Sequence, residues 1–221
     1  MWIADQWNDY EVIDCSKGEK LERWGDYLLV RPDPQVIWDT PKKNRGWKHM
    51  NGHYHRSKKG GGEWEFFDLP KQWQIHYKDL TFNLKPFNFK HTGLFPEQAT
   101  NWDWFSDKIK HAGREIRRGN HYDAIIMDPP SYGRGPKGEI WKIEDSIHSF
   151  IKLCTKILSD DPLFFLVNSY TTGLAPAVLT YMLSTELAPW NGTVESQEIG
   201  LPVTESGLIL PCGASGRWEA K

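Results

Sequence analysis

The chain has 221 residues, of which 39% are hydrophobic, 14% aromatic and 25% charged. Its 27 basic and 29 acidic residues give a formal net charge of -2, which excludes a globally basic nucleic-acid coat but not a local basic patch. The 12 Trp argue against disorder, and the 3 Cys (Cys15, Cys154, Cys212) are too scattered for a disulfide framework or a zinc cluster.

The longest apolar runs, such as LFFLV at 163–167, fall far short of a membrane span. The opening MWIADQWNDYE carries acids where a signal peptide needs a basic end and an apolar stretch. The expectation is a soluble, cytoplasmic protein with no membrane partner.

Along the chain, residues 1–88 read as β and turn. Tyr27 to Val30 predicts a strand stopped by Arg31-Pro32-Asp33-Pro34. Trp64 to Phe67, Trp73 to Tyr77 and Thr81 to Leu84 are further strand-like pieces. A polar stretch, 41–62, lies between them and closes on Gly60-Gly61-Gly62. This part is expected to be a small β-rich domain, with 89–221 as a second domain.

The second part changes character. Ala124 to Met127 is apolar and ends on Asp128, which predicts a strand buried on both faces of a parallel sheet. Ile147, Phe150, Ile151, Cys154, Ile157 and Leu158 fall at helical spacing. Leu163 to Val167 predicts another buried strand, and Pro176 opens a helix to about Leu187. Val194 to Ile199 and Gly207 to Leu210 are the last strand candidates. The order β-α-β-α-β-β implies an α/β sheet with an antiparallel end.

The strongest chemical signal is YDAIIMDPPSYG, 122–133. In open α/β sheets, ligands bind beyond the carboxyl ends of the strands. Pro129 and Pro130 have a fixed φ and no backbone donor, so they predict a stiff, extended loop with free carbonyls. Such acceptors hold an exocyclic amine or ring N–H for attack on an electrophile. Tyr132 offers a face for stacking on a base. A plain turn, with Tyr132 as packing, is the alternative.

Gly133-Arg134-Gly135-Pro136-Lys137-Gly138 matches the dinucleotide fingerprint G-x-G-x-x-G. That fingerprint must open a helix, and no helical period begins before about Ile147. A mobile loop is expected instead. Residues 41–62 hold seven Lys/Arg and no acid, with Trp47, Tyr54 and three histidines interleaved. That pattern suits RNA as well as it suits a solvated loop. His53 and His55 lack a third ligand nearby, so no metal is expected.

Four blocks carry a resemblance: LKPFNFKHTGLFPEQATNWDWF (84–105), YDAIIMDPPSYGRGPKGEIWKIED (122–145), FFLVNSYTTG (164–173) and GLPVTESGLILPCGASGRWE (200–219). With KLERWGDYLLVRPDPQVIW (20–38), they make the chain similar to class I S-adenosylmethionine-dependent methyltransferases, and within these to the rRNA large-subunit methyltransferase-like proteins. The resemblance implies a Rossmann-like sheet with antiparallel C-terminal strands and S-adenosyl-L-methionine as cofactor. It places Thr92, Gly93, Phe95 and Gln98 near the methionine end of that cofactor. It gives Asp128, Pro129, Pro130 and Tyr132 the role of holding the target base, with Asp128 also near the cofactor. Asn168 and Ser169 are then expected on the same rim.

The sequence departs from the family in one respect. The glycine-rich cofactor loop and the acids of the early strands should precede Asp128. Only residues 106–122 are available, and one βαβ unit needs about 30 residues. By comparison with the family, the sheet lacks its first strands, with the join near 112–114. A sheet without its central strand is not expected to be stable.

The reading is methyl transfer to RNA, most simply to a guanine nitrogen of large-subunit rRNA. Cytosine C5 methylation needs a cysteine thiolate to attack the ring, for which Cys212 is the candidate. A non-catalytic RNA-binding protein is the alternative if the deletion is real.

Overall fold

A computed structural model describes residues 1–57, 61–87, 89–112, 121–135, 138–171 and 173–221. In chain order the elements are β1 (Trp2–Ile3), β2 (Tyr10–Ser16), β3 (Glu19–Trp24), β4 (Tyr27–Pro32), β5 (Gly52–Arg56), β6 (Gly62–Phe66), β7 (Trp73–Tyr77) and β8 (Leu80–Leu84). There follow α1 (Ala99–Ala112), β9 (Ala124–Met127), β10 (Tyr132–Arg134), β11 (Ile140–Lys142) and α2 (Ile143–Thr155). The chain ends with β12 (Phe164–Ser169), α3 (Pro176–Glu186), β13 (Gly192–Pro202) and β14 (Ile209–Ala220).

Two compact units result. One comprises Met1–Trp2, Thr100–Ile199 and Cys212–Lys221, and the other Ile3–Ala99 and Gly200–Pro211. The division thus falls at Ala99, and Gly200–Pro211 returns to the unit built from the first part of the chain.

The first unit is built on a five-stranded sheet of order β1-β13-β14-β12-β9. Strand β9 runs parallel to β12, and β14 runs antiparallel to it. All six residues of β12 are buried, because helices cover both of its faces. Phe165 and Val167 pack with Ile143, Ile147 and Ile151 of α2 and Leu179 and Leu183 of α3. Those α2 positions recur every four residues, which places them on one stripe of the helix. Phe164 meets Trp104 and Phe105 of α1, with ring centroids 5.3 and 6.1 Å apart. Gly216 of β14 lets α3 approach, since a Cβ there would lie 2.8 Å from Leu183 Cδ1 and 3.0 Å from Leu179 Cβ.

Several expectations change. Strand β9 is not buried on both faces: Ile126 is 52% exposed. The physical reason is that β9 is an edge, with β12 as its single sheet neighbour among the described residues. The central position belongs to β14, so a long C-terminal strand occupies the middle of the sheet. Helix α2 starts and ends earlier than its periodicity suggests, which leaves Ile157 and Leu158 beyond it. Gly133 and Arg134 lie in β10, which pairs with β11, rather than in an open loop, and Pro136 and Lys137 lie outside the described residues. Among the described residues after Gly133 no helix opens before Ile143, beyond β11, which speaks against the dinucleotide reading. Residues 113–120, where most of the expected join falls, lie outside the described residues.

The second unit holds a five-stranded sheet, β2-β3-β4-β5-β6, and the β7–β8 hairpin. Strands β2 and β3 are joined by Lys17-Gly18, both at positive φ (53° and 78°). That pairing is what a two-residue turn needs to match the twist of its strands. The basic stretch 41–62 is not all loop, because it contains β5.

Phe165 is fully buried between β9 and the helices. Its replacement by alanine is expected to lower stability by about 3–5 kcal/mol. Urea unfolding followed by circular dichroism measures this; a shift under about 1 kcal/mol would show that the face is not a packed core.

Candidate functional site

In the first unit the candidate site is the loop after β9. The parallel register pairs Met127 with Val167, so Asp128 leaves the sheet at the level of Asn168, which is still paired with Ser215 of β14. That is the carboxyl end of two parallel strands, where open α/β sheets bind ligands. Asp128 is solvent-accessible, yet partial burial raises its carboxyl pKa. Tyr132 is 52% exposed and accepts a hydrogen bond from Arg134 Nε at 3.0 Å.

The loop is fastened at three points. Trp141 Nε1 donates to the Pro130 carbonyl at 2.6 Å. The Ile143 amide donates to the Ser131 carbonyl at 3.0 Å, tying the loop to the first residue of α2. Thr171 Oγ1 donates to Ser131 Oγ at 2.7 Å, joining it to the segment after β12. The expectation of two free proline carbonyls is therefore corrected: the Pro130 oxygen already has a strong donor. A fixed φ makes that carbonyl a good target for an indole N–H.

Asn168 stands at the end of β12, but it is buried and engaged. Its Oδ1 accepts from Asn101 Nδ2 at 3.1 Å and from Ser215 Oγ at 2.7 Å. Arg217 donates to Asn101 Oδ1 through Nε (3.0 Å) and Nη2 (2.7 Å). The Arg217 guanidinium also lies 3.6 Å from the centre of the Trp2 ring. Burial lowers its pKa to about 10, so it stays charged at neutral pH. Asn168 thus serves the protein interior rather than the rim. Cys154 packs against the core, and burial pushes its thiol up. Cys212 lies two residues before Ala214, the partner of Ser169, and so beyond the carboxyl end of β12.

Thr92, Gly93, Phe95 and Gln98 belong to the second unit. Thr92 is fully buried, and its Oγ1 has no hydrogen-bond partner among the described residues. Gly93 has φ +92°, and a Cβ there would lie 2.9 Å from Phe87. Phe95 is 39% exposed and precedes a single 3-10 turn, Pro96–Gln98.

This segment is anchored by an ion cluster that the sequence reading missed. Arg31 donates to Glu22 through Nε (2.6 Å) and Nη2 (2.8 Å), and its Nη1 donates to the Lys90 carbonyl at 3.0 Å. Tyr10 OH donates to Glu22 Oε1 at 2.7 Å. Burial alone would raise the Glu22 carboxyl, but Arg31 and Lys20 outweigh it and hold it at about 2. Burial, with help from Lys90, lowers His91 to about 4, so His91 is neutral at pH 7. One signal was readable: Lys20, Glu22 and Trp24 alternate onto one face of β3, and a charge beside a tryptophan there needs a partner.

The basic stretch is partly neutralised. Lys42 pairs with Glu19 at 2.6 Å and stacks on Trp47, while His53 and His55 bond Glu19 and Glu65. Lys43, Arg45, Lys48 and Arg56 are exposed, and Lys58 and Lys59 lie outside the described residues. No group of three or more potential metal ligands occurs among the described residues.

No family model matches the sequence, and no curated protein matches it. Solved structures do. The SAM dependent methyltransferase from Agrobacterium tumefaciens superposes with a TM-score of 0.88 at 23% identity, over 100% of this chain and 93% of that one. SMU.776, described as a methyltransferase and complexed with SAH, gives 0.65 at 12% identity, over 97% of this chain and 76% of that one. A Streptococcus mutans structure described as a sam-dependent methyltransferase gives 0.62 at 11%, over 97% and 76%. The chain shares the fold of these methyltransferases.

Replacing Glu22 by glutamine leaves Arg31 buried without its hydrogen-bonded counter-charge, an expected cost of about 3–5 kcal/mol at pH 7. A carboxyl held near 2, below its ordinary 4.5, stabilises the fold above pH 4.5 and loses that contribution as pH falls towards 2. The gap between wild type and Glu22→Gln should therefore close over that interval. Denaturant melts at several pH values test this, and a constant gap would contradict the ion pair.

Proposed function

We propose that the chain is an S-adenosyl-L-methionine-dependent methyltransferase acting on RNA, with a guanine nitrogen of large-subunit rRNA as the favoured target. The observation that carries the reading is the Asp128-Pro129-Pro130 loop at the carboxyl end of a parallel strand, fastened by Trp141, Ile143 and Thr171. A loop fixed at three points holds a base without reorganising, and positioning supplies much of the rate when the electrophile is already activated.

In this reading the cofactor supplies an electrophilic methyl group. The orphaned Thr92 hydroxyl fits a polar group at the methionine end, since a buried hydroxyl without a partner is costly. Gly93, Phe95 and Gln98 would line the same end. Asp128 would accept the base N–H or amine and take up its proton as the nitrogen is alkylated. Its raised pKa makes it a better base than an ordinary aspartate. The exposed ring of Tyr132 would stack on the base. Lys43, Arg45 and Lys48 would meet phosphates.

The activity is tested with tritiated cofactor and unmodified rRNA. Asp128→Asn should lower kcat by about 100-fold. The wild-type rate should fall on the acid side through a limb lying above the ordinary aspartate range. Cys212→Ala should be active; total loss would favour cytosine C5 instead.

A second reading, a non-catalytic RNA-binding protein, is favoured by β9 being the sheet edge. The glycine-rich loop and ribose acid expected for the adenosine have no counterpart among the described residues. Equilibrium dialysis with labelled cofactor separates the two readings: binding supports the enzyme, and absence of binding at millimolar cofactor supports the binding protein.

A further inference from the structure

The geometry points to a second nucleotide site, a pocket in the second unit for an unpaired guanine of RNA, built on Trp38, Asp14 and Lys43. The cavity measures about 500 Å³, and all its lining residues belong to that unit. It includes none of Thr92, Gly93, Phe95 or Gln98. A volume of this size takes a nucleotide with room to spare.

The walls are apolar. Trp38, Pro41, Val203, Leu208, Ile209 and Pro211 line them. The Trp38 indole N–H donates to the Cys15 carbonyl at 3.1 Å, which fixes the ring against the backbone. Trp38 is 36% and Leu208 69% exposed, so an aromatic ring and an aliphatic side chain stand in water at the cavity. A flat, weakly polar ring is the ligand that such a lining favours.

The polar wall selects the base. Asp14 is 8% exposed. Its Oδ1 accepts from the Cys15 amide at 2.9 Å and its Oδ2 from Trp47 Nε1 at 2.8 Å. Both donors are neutral. Each carboxylate oxygen has two acceptor positions, so one remains on each. Two adjacent acceptors match two adjacent donors. Guanine alone among the four bases offers these, at N1–H and N2–H. Adenine and cytosine set an acceptor beside their amine, and uracil flanks its one N–H with two acceptors. Lys43 also lines the cavity, is exposed and has no salt-bridge partner among the described residues. Its charge suits a phosphate. Glu205, the other acid of the lining, accepts from Asn44 Nδ2 at 2.6 Å.

This inference goes beyond methyl transfer and stands without it, because binding is measured with no cofactor present. The probes are fluorescent oligo-uridine pentamers with a central guanosine, inosine or adenosine, read by anisotropy. The guanosine strand should bind about tenfold tighter than the adenosine strand, with inosine between. Asp14→Asn should abolish the preference. Lys43→Gln should weaken all strands alike and flatten their salt dependence. Leu208→Trp, at an exposed position that leaves the fold intact, should block binding. Equal affinity for guanosine and adenosine strands, no binding of either, or wild-type binding by Leu208→Trp would each overturn the pocket. Competition by GMP separates the sources: displacement shows that a free nucleotide suffices, and persistence of the guanosine preference without displacement shows that the strand is needed. Guanosine preference without methyl transfer would sink the enzyme reading and leave the pocket standing.

Discussion

Burial of β12 on both faces is the constraint on which the first unit depends. A strand with every residue inside cannot be solvated on either side, so it needs a helix on each face and a strand on each edge. Helix α1 supplies one cover, and α2 and α3 supply the other. Strands β14 and β9 supply the edges. The position of the Asp128 loop follows from this. Strand β9 is held in parallel register against β12, and its last residue delivers the chain to the rim where Trp141 and Thr171 wait.

The second unit depends on a different kind of bond. Glu22 is fully buried opposite Val12 and Leu29, and a lone carboxylate there would be untenable. Arg31, one strand away, meets both of its oxygens and still spends a third donor on the Lys90 backbone. One side chain thus neutralises the core charge and fixes the path of the segment that carries Thr92.

Much of this was readable from sequence, and the reasons are local. Apolar runs with a hard stop were seen: AIIM before Asp-Pro-Pro became β9, and FFLV became the core of β12. Proline at the start of α3 gave its first residue. What escaped depends on partners distant in the chain. Helix α1 carries Asn101, two Trp, two Asp and two Lys, so its stripe is not apolar, and it is a helix because Asn101 and Trp104 find Arg217 and Phe164. The exposed side of β9 was unreadable because burial depends on what lies beside a strand, not on its own residues. The Pro130 carbonyl looked free because the indole that takes it comes from a hairpin that glycine and proline disguised as loop.

The polar cluster of Asn101, Asn168, Ser215 and Arg217 has a consequence for how the chain finds its fold. Its members come from α1, β12 and β14, and the Arg217–Asn101 bonds span 116 residues of sequence. On β12 and β14 they alternate with Val167, Ala214 and Trp218, which face the opposite, apolar side. A slip of β14 by one residue against β12 would carry the Arg217 guanidinium and the Ser215 hydroxyl into the packed side chains of α2 and α3. It would leave both without partners and expel apolar groups at the same time. The cluster therefore specifies one register of β14 against β12. It penalises the misregistered sheet far more than it rewards the correct one.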